Sequence, residues 1–335
     1  AEDPSGLDAA ELMRLVDGEL PIVAFARERL GPLGAVHDAA ADEGRRLRDS
    51  MHARVVADAF VPAGGRPGTL NDENWRAFLV PGAEGAPPQP SARVIVEGAN
   101  LVVTAGARRA LFEHAGVRIV KDSSANKCGV ICSSFEIQAS MLLDEAEFAA
   151  VKPAVVADVL ARLRGLAHAE ATLLFREFAN YPGALPAFSE RISGAINAAT
   201  DAVGAALDAE AAARAASGAA TPLHDALLPL VRAHLPAALA DAAWDRLEAR
   251  VPAQYVRNAM ASCVASKLVY TEGVHFVEAL PRERLASLAL DYVNAQARVD
   301  DAASAVRASA DLAEPLRDEV AALLERKGAR AVLGL

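Results

Sequence analysis

Three short apolar runs within the first 140 residues constrain the fold of this chain most. They cover residues 54–61, 93–96 and 117–120, and small or polar residues follow each of them. Runs of this length fit the strands of a parallel sheet, and the first run fits a strand that is buried on both faces. A helical pattern that Thr104 can cap and Gly116 can end lies between the second and third runs. This order predicts a parallel sheet with crossover connections.

The second part of the chain, residues 141–335, has the pattern of one amphipathic helix after another. The longest stretch runs from Glu145 to Phe178 almost without interruption, and a Pro-Gly pair at 182–183 ends it. Alanine, the strongest helix former, is abundant throughout. We therefore predict an α/β protein whose sheet lies in residues 1–140 and whose C-terminal region, residues 141–335, is mostly α-helical.

The composition argues against several classes of partner and site. A formal net charge of −10 disfavours electrostatic binding to nucleic acid or to an anionic membrane, so we expect neither partner. No apolar run is as long as a membrane span requires. The three cysteines, Cys128, Cys132 and Cys263, favour a reducing compartment, which is the cytoplasm or the mitochondrial matrix. Neither these cysteines nor the seven scattered histidines have metal-ligand spacing, so we predict no metal site.

Small residues and amides follow the predicted strands, where ligands of open parallel sheets bind. Ala63 and Gly64 come after the first strand, Asn100 after the second and Asn126 after the third. Small residues allow close approach to the backbone, and an amide offers both a hydrogen-bond donor and an acceptor. The pattern fits a flat, hydrogen-bonding ligand, although the same residue types are also common in simple turns.

One block of sequence, residues 94–137, resembles the second half of the cofactor domain of glutamate dehydrogenases. The variants IVEGANL and PAGGRP are similar to those of the large-subunit, NAD-dependent class, and residues 3–15 and 251–276 also resemble that class. The residues that carry the likeness are Glu97, Gly98, Ala99, Asn100, Thr104, Asp122, Asn126, Gly129, Val130, Ser133, Phe135 and Glu136.

The resemblance implies a fold and a cofactor. Residues 1–140 would be the C-terminal half of a dinucleotide-binding domain, a partial doubly wound, Rossmann-like parallel sheet. Asn126 would hold the nicotinamide carboxamide, Asn100 would bond nearby on the ribose side, and Ala63 and Gly64 would let the cofactor lie against bare backbone. The cofactor would be NAD, with NADP left open because the region that decides between them has no match here.

The resemblance also implies a reaction, the oxidative deamination of L-glutamate to 2-oxoglutarate and ammonia with hydride transfer to NAD. Ser133 would donate its hydroxyl to the α-carboxylate of the amino acid, and Val130 would pack near its side chain. The full-length protein would be a homo-oligomer, as implied by the family.

Several parts of the family pattern have no match in the chain. There is no glycine-rich pyrophosphate turn, no acidic residue for the adenosine ribose, and no lysine in the family's catalytic context. We therefore expect no catalytic residue in this chain, expect it to be the C-terminal portion of a larger enzyme, and expect it to be inactive alone. Two alternatives stay open: a leucine-, valine- or phenylalanine-type dehydrogenase, and a non-catalytic interaction or regulatory subunit with half a nucleotide-binding fold.

Overall fold

The computed structural model describes residues 1–64, 66–82 and 87–334. The chain forms two compact units. The first unit contains residues 1–61, 68–95 and 102–117, and the second contains residues 62–67, 96–101 and 118–335. The sequence predicted a boundary between two domains near residue 140. The two compact units do not test that boundary, so it stays a prediction.

In its described residues, the first unit contains short strands and three α-helices. Strand β1 (Ala57–Phe60) pairs in parallel with β4 (Ala92–Val96), with Ala59 opposite Val94. Strands β2 (Leu79–Val80) and β3 (Gln89–Pro90) form a separate antiparallel pair. The helices are α1 (Ala9–Asp17), α2 (Asp42–Ser50) and α3 (Ala105–Ala115).

Helix α3 forms as predicted from its two ends. The Thr104 side chain accepts a hydrogen bond from the backbone N–H of Ala107, which satisfies one of the free donors at the helix start. Gly116 ends the helix with a φ of 65°, a left-handed conformation that glycine adopts without a steric penalty. Between these ends, Ala107 and Leu111 are fully buried.

The prediction that the first strand is buried on both faces is wrong. Ala57, Asp58 and Ala59 are exposed, and the flanking Val56 and Val61 are 56% and 58% exposed. Within the described residues, β1 pairs with β4 and with no strand on its other side, so it is an edge of the sheet. An apolar run indicates that a strand can be buried, but burial depends on what packs against it.

The second unit contains one strand and is otherwise helical among its described residues. Strand β5 (Arg118–Val120) follows β1 and β4 in the strand order β1-β4-β5, and the N–H of Glu97 donates to the carbonyl of Val120 at 3.0 Å. The short α4 (Asp122–Ala125) and α5 (Cys128–Leu142) follow β5. The later helices are α6 (Glu145–Asn180), α7 (Leu185–Ser217), α8 (Pro222–His234), α9 (Ala237–Ala243), α10 (Leu247–Arg250), α11 (Ala253–Glu272), α12 (Val274–Glu278), α13 (Leu285–Ala308) and α14 (Glu314–Leu333).

The long helix α6 confirms its predicted limits to within two residues. Asp144 and Glu147 form a reciprocal capping box at its start, and Tyr181 follows its last turn. Two apolar clusters hold the helices of the second unit together, one centred on Leu227 and Met260 and the other on Leu174 and Ile192. Among the helices that the structure describes, none has both the length and the apolar character that a membrane span requires.

Candidate functional site

The loops at the carboxyl ends of the three parallel strands are joined by hydrogen bonds from backbone N–H groups. They comprise residues 62–64, 97–101 and 121–127, all in the second unit. The N–H of Ala99 donates to the carbonyl of Pro62 at 2.7 Å, and the N–H of Leu101 donates to Oδ2 of Asp122 at 2.9 Å. The three loops therefore form one surface, as expected for neighbouring strands of a parallel sheet.

Two predicted site residues, Asn100 and Asn126, are in direct contact on this surface. Nδ2 of Asn126 donates to Oδ1 of Asn100 at 2.8 Å. Among the described residues, Oδ1 of Asn126 and Nδ2 of Asn100 have no side-chain or backbone partner. The pair therefore presents one free acceptor and one free donor, which is the complement of a carboxamide group.

The turn that carries Asn100 has an unusual backbone conformation. Leu101 has a φ of 58°, a left-handed conformation that is unfavourable for a bulky residue, and its side chain is 64% exposed. The carboxylate of Asp122 is buried and accepts from the N–H groups of both Leu101 and Ser123. Asp122 therefore holds this turn in place next to Asn100.

The predicted cofactor residues after the first strand lie on open surface. Ala63 and Gly64 are exposed, and Gly65 lies outside the described residues. A Cβ atom added at Gly64 would have no atom within 4 Å among the described residues beyond its chain neighbours. The backbone here is therefore bare, as the cofactor prediction requires, and a side chain at Gly64 would occupy the space where a ligand could lie.

The predicted substrate residues lie on one exposed face of α5. Val130 is 76% exposed, and Ser133 is also exposed one turn later along the helix. The next serine differs, since Oγ of Ser134 donates to the carbonyl of Ile131 at 2.7 Å. The Ser133 hydroxyl has no partner among the described residues, so it is available to a ligand.

Sequence reasoning missed a buried carboxylate, Glu170, that fixes the loop containing Asn126. Glu170 lies on α6 and is 3% exposed. It accepts from Oγ of Ser124 at 2.5 Å and from the hydroxyl of Tyr270, and it pairs with Nζ of Lys127 at 2.8 Å. Ser124 and Lys127 flank Asn126, so Glu170 holds the loop on both sides of that residue.

A sequence signal for Glu170 does exist. It occupies a buried stripe of α6 together with Leu173 and Leu174, and a charged residue within such a stripe needs partners.

Burial raises the pKa of the Tyr270 phenol above its ordinary value, and the neighbouring Glu170 carboxylate raises it further. Tyr270 therefore stays protonated and can donate to Glu170.

The described residues offer no group of three or more histidine, cysteine, aspartate or glutamate side chains that could hold a metal ion. All three cysteines are unpaired thiols. Burial raises the pKa of Cys263 to about 12, so this thiol is not a ready nucleophile.

Comparison with known proteins supports the sequence resemblance. The chain is 39% identical over 157 residues to a probable NAD-specific glutamate dehydrogenase of Schizosaccharomyces pombe, which covers 44% of this chain and 14% of that protein. It is 30% identical over 297 residues to glutamate dehydrogenase 2 of Dictyostelium discoideum, which covers 82% of this chain and 27% of that protein. A third relative, an NAD-specific glutamate dehydrogenase of Saccharomyces cerevisiae, is 35% identical over 162 residues, 44% of this chain and 14% of that protein.

The chain thus spans between about a seventh and a quarter of the length of these curated relatives. No solved structure matches it significantly. Residues 2–164, which include every predicted site residue, match the model of the family described as Glutamate/Leucine/Phenylalanine/Valine dehydrogenase. Over these residues the chain belongs to that family, and the relatives that it matches within the family are glutamate dehydrogenases.

Proposed function

We propose that this chain forms the nicotinamide side of the cofactor site in an NAD-dependent glutamate dehydrogenase. The observation that carries the proposal is the contact between Asn126 and Asn100, which leaves one donor and one acceptor free on an exposed surface. The names of the relatives supply the amino acid and the cofactor, since three of those found are called NAD-specific or probable NAD-specific glutamate dehydrogenases.

In this proposal the chain binds and orients the reactants. Asn126 and Asn100 hold the carboxamide of the nicotinamide ring, and the bare backbone at Ala63 and Gly64 lies against the cofactor. When bound, NAD would supply the hydride acceptor for the oxidation of glutamate at Cα, which gives 2-oxoglutarate and ammonia after hydrolysis.

The exposed face of α5 supplies the proposed contacts to the amino acid. The free hydroxyl of Ser133 donates to the α-carboxylate, and Val130 contacts the side chain one turn away. Neither residue can act as a general base for the amine, so this pair binds the amino acid and takes no part in proton transfer. We further propose that the complete enzyme is a homo-oligomer in the cytoplasm or the mitochondrial matrix.

The cofactor role is tested in the protein as its source produces it, carrying Asn126→Ala or Gly64→Val. In Asn126→Ala, loss of the hydrogen bond to the carboxamide corresponds to about a tenfold rise in the KM for NAD. Gly64→Val should raise the same KM while leaving the melting temperature unchanged, because the new side chain meets open space. Asn294→Ala, on the exposed surface of α13, is the matched control. An unchanged KM for NAD in both site variants would refute the cofactor role.

The substrate role is tested by comparing neighbouring serines. Ser133→Ala should raise the KM for glutamate about tenfold and leave the KM for NAD unchanged, because a hydrogen bond to a carboxylate is lost. Ser134→Ala should leave both constants unchanged, since that hydroxyl bonds within its own helix. The same assay with leucine, valine and phenylalanine as substrates distinguishes glutamate from the other amino acids in the family description. If one of these three amino acids were turned over faster than glutamate, it would replace glutamate as the proposed substrate.

A further inference from the structure

The helices of the second unit enclose a cavity that borders the loop of residues 121–127. The cavity has a volume of about 740 Å³ and is bounded mainly by α5, α6 and α11, with contributions from α4, α7 and α8. None of the six predicted site residues lines it. Its volume lies within the range of cavities that bind small molecules.

The cavity is elongated along α11. This helix lines it at every turn from Tyr255 to Tyr270, and these ends are about 22 Å apart at the rise of an α-helix. The facing stripe of α6 runs from Arg162 to Glu170, and Glu170 meets Tyr270 at one end. A ligand that fills this space is therefore long and narrow.

The walls are mostly apolar and are incompletely covered by the protein itself. Five aliphatic side chains that line the cavity are only half-buried, although they come from four different packed helices. They are Ile131, Leu163, Leu166, Ile196 and Leu230. Covering these side chains with an apolar ligand would be favoured by the hydrophobic effect.

The charges of the lining favour an anion. Its one carboxylate, Glu170, is compensated by Lys127 at 2.8 Å. The guanidinium of Arg162 donates to the carbonyls of Ala233 and Leu235 and to no carboxylate. Lys267 is half-buried in the wall and has no hydrogen-bond or ion-pair partner among the described residues. A half-buried ammonium without a partner is a ready contact for a carboxylate.

We propose that this cavity binds an elongated amphipathic carboxylate of the fatty-acid class. The carboxylate pairs with Lys267, and the alkyl chain lies along α11 toward Tyr255, between the aliphatic side chains of α5, α6 and α8. Binding here needs neither the cofactor nor the amino acid, so the proposal stands independently of the dehydrogenase assignment.

The test is a calorimetric titration of the 335-residue chain with decanoate, and with decylammonium as a probe of the same length and opposite charge. We expect saturable binding of one decanoate per chain and at least tenfold weaker binding of decylammonium. Lys267→Met should weaken decanoate about tenfold, the size expected for a charge-assisted hydrogen bond. Lys152→Met, an exposed lysine of α6 outside the cavity lining, should leave the affinity unchanged.

A cavity-filling variant locates the alkyl chain. Ala259→Phe places a ring in the lining of α11 and should abolish decanoate binding, with a thermal melt confirming that the variant is folded. If Ala259→Phe does not fold, the titration of Lys267→Met tests the proposal instead. Absence of saturable decanoate binding, equal affinity for decylammonium, or an unchanged affinity in Lys267→Met would each overturn the proposal.

Discussion

Glu170 provides the sharpest test of how the second unit holds the loop that contains Asn126. We predict that Glu170→Gln lowers the free energy of unfolding of this unit by about 1–3 kcal/mol, since hydrogen bonds to charged groups contribute about 1.5–3 kcal/mol each. Glutamine keeps the shape and one acceptor oxygen. The Ser124 hydroxyl can turn to accept from the new amide, so the loss comes mainly from the missing charge.

The three partners of Glu170 should contribute unequally. Tyr270 is largely buried and its hydroxyl has no other acceptor among the described residues, so it cannot replace the lost bond with water easily. The side chain of Lys127 is 32% exposed, and its ammonium can be solvated when the carboxylate is removed. We therefore expect a coupling energy of about 1–2 kcal/mol between Glu170 and Tyr270, and less than about 1 kcal/mol between Glu170 and Lys127.

Two double-mutant cycles measure these couplings. One combines Glu170→Gln with Tyr270→Phe, and the other combines it with Lys127→Met. The chain has two tryptophans, and Trp244 belongs to the second unit. Urea unfolding followed by fluorescence in a Trp75→Phe background therefore reports on that unit. If the coupling energy with Lys127 were larger than that with Tyr270, the ion pair would contribute more than the hydrogen bond from the buried phenol. That result would contradict the prediction.

Substitutions at two further positions test local features of the second unit. Leu101→Gly should be more stable than Leu101→Ala by about 1 kcal/mol, because glycine adopts the left-handed conformation without the steric cost; equal urea midpoints would contradict this. Burial lowers the pKa of His234 from its ordinary value of 6.5, and the nearby Arg162 lowers it further. The unfolded chain therefore binds a proton below about pH 6.5 that the folded chain does not, so stability falls as the pH decreases from there. His234→Gln should show a smaller loss of stability between pH 7 and pH 5.5 than the unmodified chain, and an equal loss would refute the assignment.

Local signals in the sequence predicted the elements that have well-defined ends. Thr104 and Gly116 specify the two ends of α3. Thr104 accepts a hydrogen bond from the first turn of the helix, and Gly116 adopts the left-handed conformation that ends it. The capping box at Asp144 likewise specifies the start of α6. The contact between Asn100 and Asn126 was also within reach, because parallel strands bring their carboxyl ends to the same edge.

Features that depend on distant parts of the chain could not be predicted in the same way. Burial of β1 requires a neighbour on its free edge, and the sequence of the strand contains no information about one. The partners of Glu170 lie 46 residues before it, at Ser124, and 100 residues after it, at Tyr270. A buried glutamate in an apolar stripe signals that partners exist, but only the packing of α6 against α4 and α11 identifies them.

The segment from Ser124 to Lys127 serves two different surfaces, since Asn126 faces one of them and its neighbours face the other. Asn126 contacts Asn100 at the carboxyl ends of the strands, where the proposed cofactor would lie. Ser124 and Lys127 instead contact Glu170 and line the cavity between the helices. The amide pair therefore depends on residues of α6 and α11 that a half-domain ending at residue 140 would lack. The helical region thus supports the loop that contains Asn126, which gives it a structural role in the proposed cofactor site.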